Sequence, residues 1–330
     1  MHRRTFIGSV AAGLLAVPLS ARPQQSDRLR RIGVLIAFAK NDEVWQADLA
    51  AFRQRLQDLG WIDGRNVRID YRFPGEDIEH IRVVAAELVA LAPDVIFVSS
   101  NPGVSALMQA TRTIPIVFIG VSDSVGSGFV ASLARPGGNI TGFHNFEPSI
   151  GGKWLEVLKQ IAPGVRRVAV VHIPEIPANV AFLRVAEASS TSLGLTVTAA
   201  GVRDAPDIER VLTAFAREPN GGFIVTPSPL TSAARGELII ALAARLGVPA
   251  IYPFRFFATG GGLISYGINR AEFVREAASY VDRILRGANP GELPVQLPTK
   301  YELVINAKTA KALGITIPQS LLLRADDVIQ

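Results

Sequence analysis

Two glycine patterns stand where phosphate chemistry could be done. Gly126-Ser127-Gly128-Phe129-Val130-Ala131 has the spacing G-x-G-x-x-A, and Gly152-Lys153 has the ending of a phosphate-binding loop. A dinucleotide fingerprint needs its glycines in the tight turn straight after the first strand, so that a pyrophosphate meets a helix N-terminus. The first apolar run here ends at Phe38, and the next glycine is Gly60. Gly126 and Gly128 come too late, and are expected in a loop and first helical turn. A phosphate loop needs a glycine five positions ahead of Gly152, where Glu147 stands, and Ser or Thr after the lysine, where Trp154 stands. No G-x-S-x-G offers a strained nucleophilic serine. The four histidines, His2, His80, His144 and His172, include no pair at metal-ligating spacing, and no cysteine is present to supply a thiolate. The expectation is a protein that is not an enzyme and that needs no metal or cofactor.

Residues that bind rather than react take their meaning from the elements that carry them. Ile32 to Phe38 (IGVLIAF) is a continuous apolar run, as in a strand buried on both faces. Trp45 to Leu59 has apolar residues at helical spacing (Leu49, Phe52, Leu56) and stops at Gly60. Val67 to Phe73 reads as a strand, Ile78 to Leu91 as a helix stopped before Pro93, Val95 to Ser99 as a strand, Gly103 to Thr111 as a helix and Ile116 to Gly120 as a strand. That order is the signature of a parallel sheet covered by helices on both faces. It then starts again. Val168 to His172 echoes Ile32 to Phe38, Phe223 to Thr226 echoes Ile96 to Ser99, and Val248 to Tyr252 echoes Ile114 to Phe118. Helices are expected between them over 181–193, 207–216 and 238–246. The internal repeat predicts an α/β protein of two Rossmann-like lobes with parallel sheets. The chain is expected to cross between them near 142–147, 252–256 and 296–303. Lobe one then holds residues 26–142 and 256–298, and lobe two holds 143–255 and 299–330.

The chain has 330 residues, of which 48% are hydrophobic, enough for two buried cores. Residues 1–25 differ from the rest: Arg3 and Arg4, then a short apolar run from Phe6 to Leu19, then Ser20, Ala21, Arg22 and Pro23. This is the layout of a secretory signal peptide, and Arg3-Arg4-Thr5-Phe6-Ile7 also fits a twin-arginine leader. Cleavage would export a soluble protein to the periplasm. It would also remove Arg3, Arg4 and Arg22, taking the net charge from +5 to +2 and with it the case for a nucleic-acid partner. With no cysteine, stability rests on the core rather than on disulfides.

Open parallel sheets bind ligands at the carboxyl ends of their strands. The candidates by position are Phe38, Trp45, Ser99, Ser100, Asn101 and Asp123 in the first lobe, and His172, Ser228 and Phe254 in the second. Phe143 and Asn145 join them at the first crossover, where Gly142 is expected to act as a hinge. Ser100, Asn101 and the backbone N–H groups of the helix start would take a carboxylate, and Asp123 an ammonium group. Phe38, Trp45, His172 and Phe254 would shape an apolar pocket.

The run Ile114 to Gly142 (IPIVFIGVSDSVGSGFVASLARPGGNITG) resembles the core signature of the ABC-transporter substrate-binding proteins related to the tryptophan-binding protein TrpX. So do Phe52 to Tyr71, Pro249 to Tyr266 and Pro298 to Ile317, in the same order, so that the likeness spans about residues 30–330. The resemblance implies a type I periplasmic-binding-protein fold, with two lobes, three crossovers and a ligand cleft between. It implies capture of a small solute, an amino acid or related carboxylate, and delivery to a membrane permease and its ATPase by a monomeric carrier. A sensing subunit that reports the solute to a membrane signalling protein would share every cleft residue. In the family the cleft is faced by the loops after Phe38, Val98 and Gly120, by Phe143 to Asn145, and by the strand ends at His172 and Ser228. This chain has Ser99-Ser100-Asn101 where relatives often have Gly-Gly-Thr, and Ser122-Asp123-Ser124 where they have Gly-Asp-Pro.

Overall fold

The computed structural model describes residues 29–228 and 232–330. The expected signal peptide at residues 1–25 lies outside them. No helix among the described residues is long and apolar enough to cross a membrane.

The first lobe runs β1 (Arg30–Leu35), α1 (Glu43–Asp58), β2 (Val67–Arg72), α2 (Ile78–Ala90), β3 (Val95–Ser99), α3 (Asn101–Ala110), β4 (Ile116–Val121) and β5 (Ile140–His144). Its sheet has the order β2-β1-β3-β4-β5, with every pairing parallel. The second runs α4 (Ile150–Ile161), β6 (Arg167–His172), α5 (Pro177–Ser190), β7 (Thr196–Gly201), α6 (Ala205–Phe215), β8 (Gly221–Val225), α7 (Ala233–Leu246), β9 (Ala250–Tyr252), α8 (Arg255–Thr259) and β10 (Ile264–Gly267). The chain then returns to lobe one as α9 (Arg270–Leu285), and comes back to lobe two as β11 (Glu302–Asn306), α10 (Ala307–Ala312), α11 (Gln319–Leu322) and β12 (Asp327–Ile329). The second sheet reads β7-β6-β8-β9-β10 and continues into β11 and β12. Its first five strands repeat the order of the first sheet, so the sequence repeat is a structural one. The antiparallel pairing of β10 with β11 makes this sheet mixed rather than wholly parallel.

Amphipathic helices seal each sheet. In α1 the apolar positions Trp45, Leu49, Phe52 and Leu56 fall on one stripe, and all are buried. That stripe shares a core with Val274, Ala277, Ala278 and Val281 of α9, and Phe52 stacks on Phe97 of β3 at 4.3 Å. Burying a phenylalanine of this kind contributes roughly 1.5–3 kcal/mol. The helix α4, which the sequence reading passed over, buries Trp154 against Phe146 and Phe182 and opens the second core. The expected helical turn at Gly126–Ala131 is an irregular turn instead.

The sheets keep the first crossover within its expected range and place the second later than expected. His144 still pairs with Val121 of β4, so the first crossover follows His144. β10 pairs with β9, so the second follows Gly267 rather than residues 252–256. In each repeat the chain leaves after the fifth strand. The third crossover, after Val295, runs beside the first: His144 N–H donates to Gln296 O and Gln296 N–H to Gly142 O, both at 2.9 Å. Gly142 is therefore a ladder residue of β5, not a free pivot. A Cβ there would lie 2.2 Å from the Phe118 carbonyl oxygen, which is why glycine is required.

Candidate functional site

The carboxyl ends of β1, β3 and β4 face those of β8 and β9 across a small cavity of about 30 Å³, about the room of two waters. Each wall residue is put there by the end of an element. Phe38 follows β1, and Trp45 lies in the first turn of α1, where its ring sits 5.2 Å from that of Phe38. Ser100 follows β3, Ile119 and Gly120 end β4, and Asn145 begins the first crossover. From lobe two come Pro227 and Ser228 after β8 and Phe254 after β9. Arg270, the first residue of α9, completes the wall at the second crossover.

Arg270 holds the centre. Its guanidinium lies 4.5 Å over the Trp45 ring and 5.1 Å from the Phe254 ring, so one cation bridges an aromatic residue of each lobe. One of its terminal nitrogens donates to the Asp48 carboxylate, itself buried on α1.

The backbone around the cavity departs from ordinary geometry. Ser100 has φ 66° and ψ 157°, a region nearly reserved for glycine and costing of order 1–3 kcal/mol. It occupies the N-cap position of α3, yet its side chain caps nothing, and its Oγ is buried without a hydrogen-bond partner. The indole Nε1 of Trp45 is in the same condition. Among the described residues, six side-chain atoms are orphaned in this way, and this cavity holds two of them. Larger hollows, of about 340, 550 and 260 Å³, hold none in their walls. An unmet buried donor costs roughly 1–3 kcal/mol, a cost that a bound acceptor would relieve. The Asn145 side chain lies beside Gly120 and makes no hydrogen bond to the described residues.

The two lobes are latched in front of the cavity. Asp42 caps α1 by accepting from Trp45 N–H at 3.0 Å, while its other oxygen accepts from Ala233 N–H at 2.8 Å, at the start of α7 in the other lobe. One buried carboxylate thus serves two helix N-termini, where negative charge is favoured. Beside it Arg235 of α7 pairs with Glu76 at 2.7 Å. Burial raises the Glu76 carboxyl above its ordinary range, against the smaller opposing pull of Arg235.

Of the eleven residues expected from sequence, the structure gathers Phe38, Trp45, Ser100, Asn145, Ser228 and Phe254 around this cavity. The other five do not line it. Ser99 is fully buried and its Oγ accepts from Ala37 N–H at 3.1 Å, tying β3 to the end of β1. Asn101 clamps the neighbouring loop through Ser122 N–H and O, at 3.1 and 2.9 Å. Asp123, at φ 50°, turns its carboxylate onto Gly126 N–H at 2.9 Å. Phe143 packs edge-on against Phe273 and Tyr280 of α9, in the core of lobe one. His172 is buried, with Nδ1 3.1 Å from Val170 O. Strand-end position is shared by these residues, but alternation sends every second side chain away from the cleft. Next to Asn145, His144 takes the Ser124 N–H on Nε2 at 3.0 Å, and burial pushes its imidazole down to about 4, against a smaller upward pull from Asp123. Arg270 was missed because the second crossover was expected at 252–256. Extending the repeat to a fifth strand would have put Asn269-Arg270 at the cleft.

Comparison with known proteins bears on this geometry. The family model described as ABC transporter substrate binding protein matches residues 35–329. A tyrosine-binding protein of Clostridioides difficile is 26% identical over 271 residues, covering 80% of this chain and 75% of that one. A crystal structure of a conserved domain protein from Vibrio cholerae is 28% identical, with a TM-score of 0.83, and covers 91% of this chain and 100% of that one. A structure from Streptococcus pneumoniae, an ABC domain in complex with L-Trp, has the same TM-score of 0.83 at 24% identity, and covers 92% of this chain and 100% of that one. The fold is that of the type I periplasmic binding proteins, as the resemblance implied. The chain belongs to the ABC transporter substrate binding protein family, whose members bind substrates and are not enzymes.

Proposed function

We propose that the protein is the periplasmic solute receptor of an ABC importer. It takes a small solute with an aromatic body and a carboxylate between its lobes, which part further than the present cavity of about 30 Å³ to hold it, and presents the ligand-bound form to a membrane permease and its ATPase. The relatives that are a tyrosine-binding protein and a complex with L-Trp support an aromatic solute. The observation that carries the reading is the pair of orphaned groups, Trp45 Nε1 and Ser100 Oγ, in a cavity walled in part by the Phe38 and Phe254 rings. Ligand contacts to both lobes favour closure because they exist together only in the closed form. Export by the leader of residues 1–25 places this work outside the cytoplasm. The test is calorimetry on protein that has been unfolded and refolded to strip any carried solute. Aromatic amino acids and their carboxylate analogues are expected to bind with one site per chain. If no small solute of any class binds, the receptor reading fails.

A further inference from the structure

We infer that the solute is a carboxylate without an ammonium group, an aryl-alkanoate rather than an amino acid, and that Arg270 is the residue that selects it. The inference rests on the receptor reading above. An amino acid zwitterion presents two charges, and a closed site must answer both, because a buried unpaired charge costs several kcal/mol. This wall answers one. Arg270 is its charged residue, and it gives Asp48 one of five N–H donors. Trp45 Nε1, which can only donate, is unpartnered beside it. Asn145 and Ser100 add neutral groups that can donate to a carboxylate.

Among the described residues, four carboxylates near the cleft are committed elsewhere. Asp42 holds Trp45 N–H and Ala233 N–H, Asp48 holds Arg270, Glu76 holds Arg235, and Asp123 holds Gly126 N–H. Asp123, the residue that sequence position favours for an ammonium group, is absent from the wall.

The test uses the refolded full-length mature chain and two series that share a ring: L-tryptophan, indole-3-propionate and tryptamine, then L-tyrosine, 3-(4-hydroxyphenyl)propionate and tyramine. In at least one series the propionate is expected to bind at least about tenfold more tightly than the amino acid, the cost of stranding one ammonium group, and the amine not to bind. Arg270→Gln should weaken the propionate at least about 30-fold. The double variant Arg270→Gln with Asp48→Asn removes both charges, so that it leaves no unpaired acid, and should show the same loss. Tighter binding of either amino acid than of its propionate, binding of an amine, or unchanged affinity in the double variant overturns the inference. If none of the six binds while a neutral solute such as a sugar does, the carboxylate inference falls and the receptor reading stands. If no solute binds, both fall.

Discussion

Asp42→Asn separates closure from folding. The two oxygens of Asp42 each hold one N–H: Trp45 within lobe one, and Ala233 across the cleft. An asparagine has one oxygen, so one of the two donors must go without. Asn is as good an N-cap as Asp, so α1 keeps its cap and the stability of lobe one should change by less than about 0.5 kcal/mol. The cross-cleft bond is then the one lost. When the lobes open, Ala233 N–H meets water, so its loss costs nothing there. When they are closed, a bond to a charged acceptor worth about 1.5–3 kcal/mol disappears. The closed form should be disfavoured by about 10- to 100-fold, and the apparent affinity for any solute that needs closure should fall by the same factor. The assay is the Kd, by calorimetry, of the tightest binder among the aromatic compounds above, beside the Tm by scanning calorimetry. Asp42→Ala serves as the comparison, since it loses the cap as well and should cost about 1 kcal/mol of stability. A Kd within twofold of wild type at unchanged Tm would refute the latch. A rise in Kd together with a fall in Tm would show that Asp42 serves the fold and not closure.

Trp45→Phe keeps the ring that faces Arg270 and removes the orphaned Nε1. Ligand-free stability should stay within about 1 kcal/mol while affinity drops about tenfold; unchanged affinity would remove Trp45 from the polar side of the site. His144 has its imidazole held at about 4 in the fold against 6.5 in the free side chain, so the unfolded chain binds the proton first as pH falls. Stability should therefore be lost between pH 6.5 and 4, by up to about 3 kcal/mol. Urea melts of wild type and His144→Gln over that range check it, the variant losing less; parallel losses would count against His144. Gly142→Ala forces a Cβ to 2.2 Å from the Phe118 carbonyl. It should lower the Tm through strain of at least about 1–3 kcal/mol, while the folded fraction binds as wild type does. Weakened binding at unchanged Tm would restore Gly142 as a hinge.

The elements, their order and the two-lobe repeat were legible because each depends on local pattern. Continuous apolar runs mark strands buried on both faces, 3.6-residue periodicity marks their covering helices, and Gly60, Gly194 and Gly287 mark helix ends. The family likeness was legible for the same reason: long ordered segments carry it. The second crossover was read less well, since a lobe boundary depends on which sheet a strand joins. β10 has the same apolar pattern in either sheet, and only its pairing with β9 and β11 assigns it.

Position at a strand end was enough to bring six of the eleven expected residues to the cavity. It could not say which way a side chain turns. Ser99 and Ser100 are neighbours of one type, yet one ties two strands together and the other stands unpartnered at the wall with φ positive. Asp123 carries the right charge but spends it on its own turn. Arg270 is 225 residues from Trp45 in the chain, and the two meet only because α9 returns to pack on α1. The sequence by itself determined the lobes, the core and the strand ends at which a ligand can sit, since these follow from short-range periodicity. Only the tertiary structure decided that the wall offers a guanidinium and no carboxylate, and that Asp42 bonds to both lobes, because both depend on contacts between residues distant in the chain.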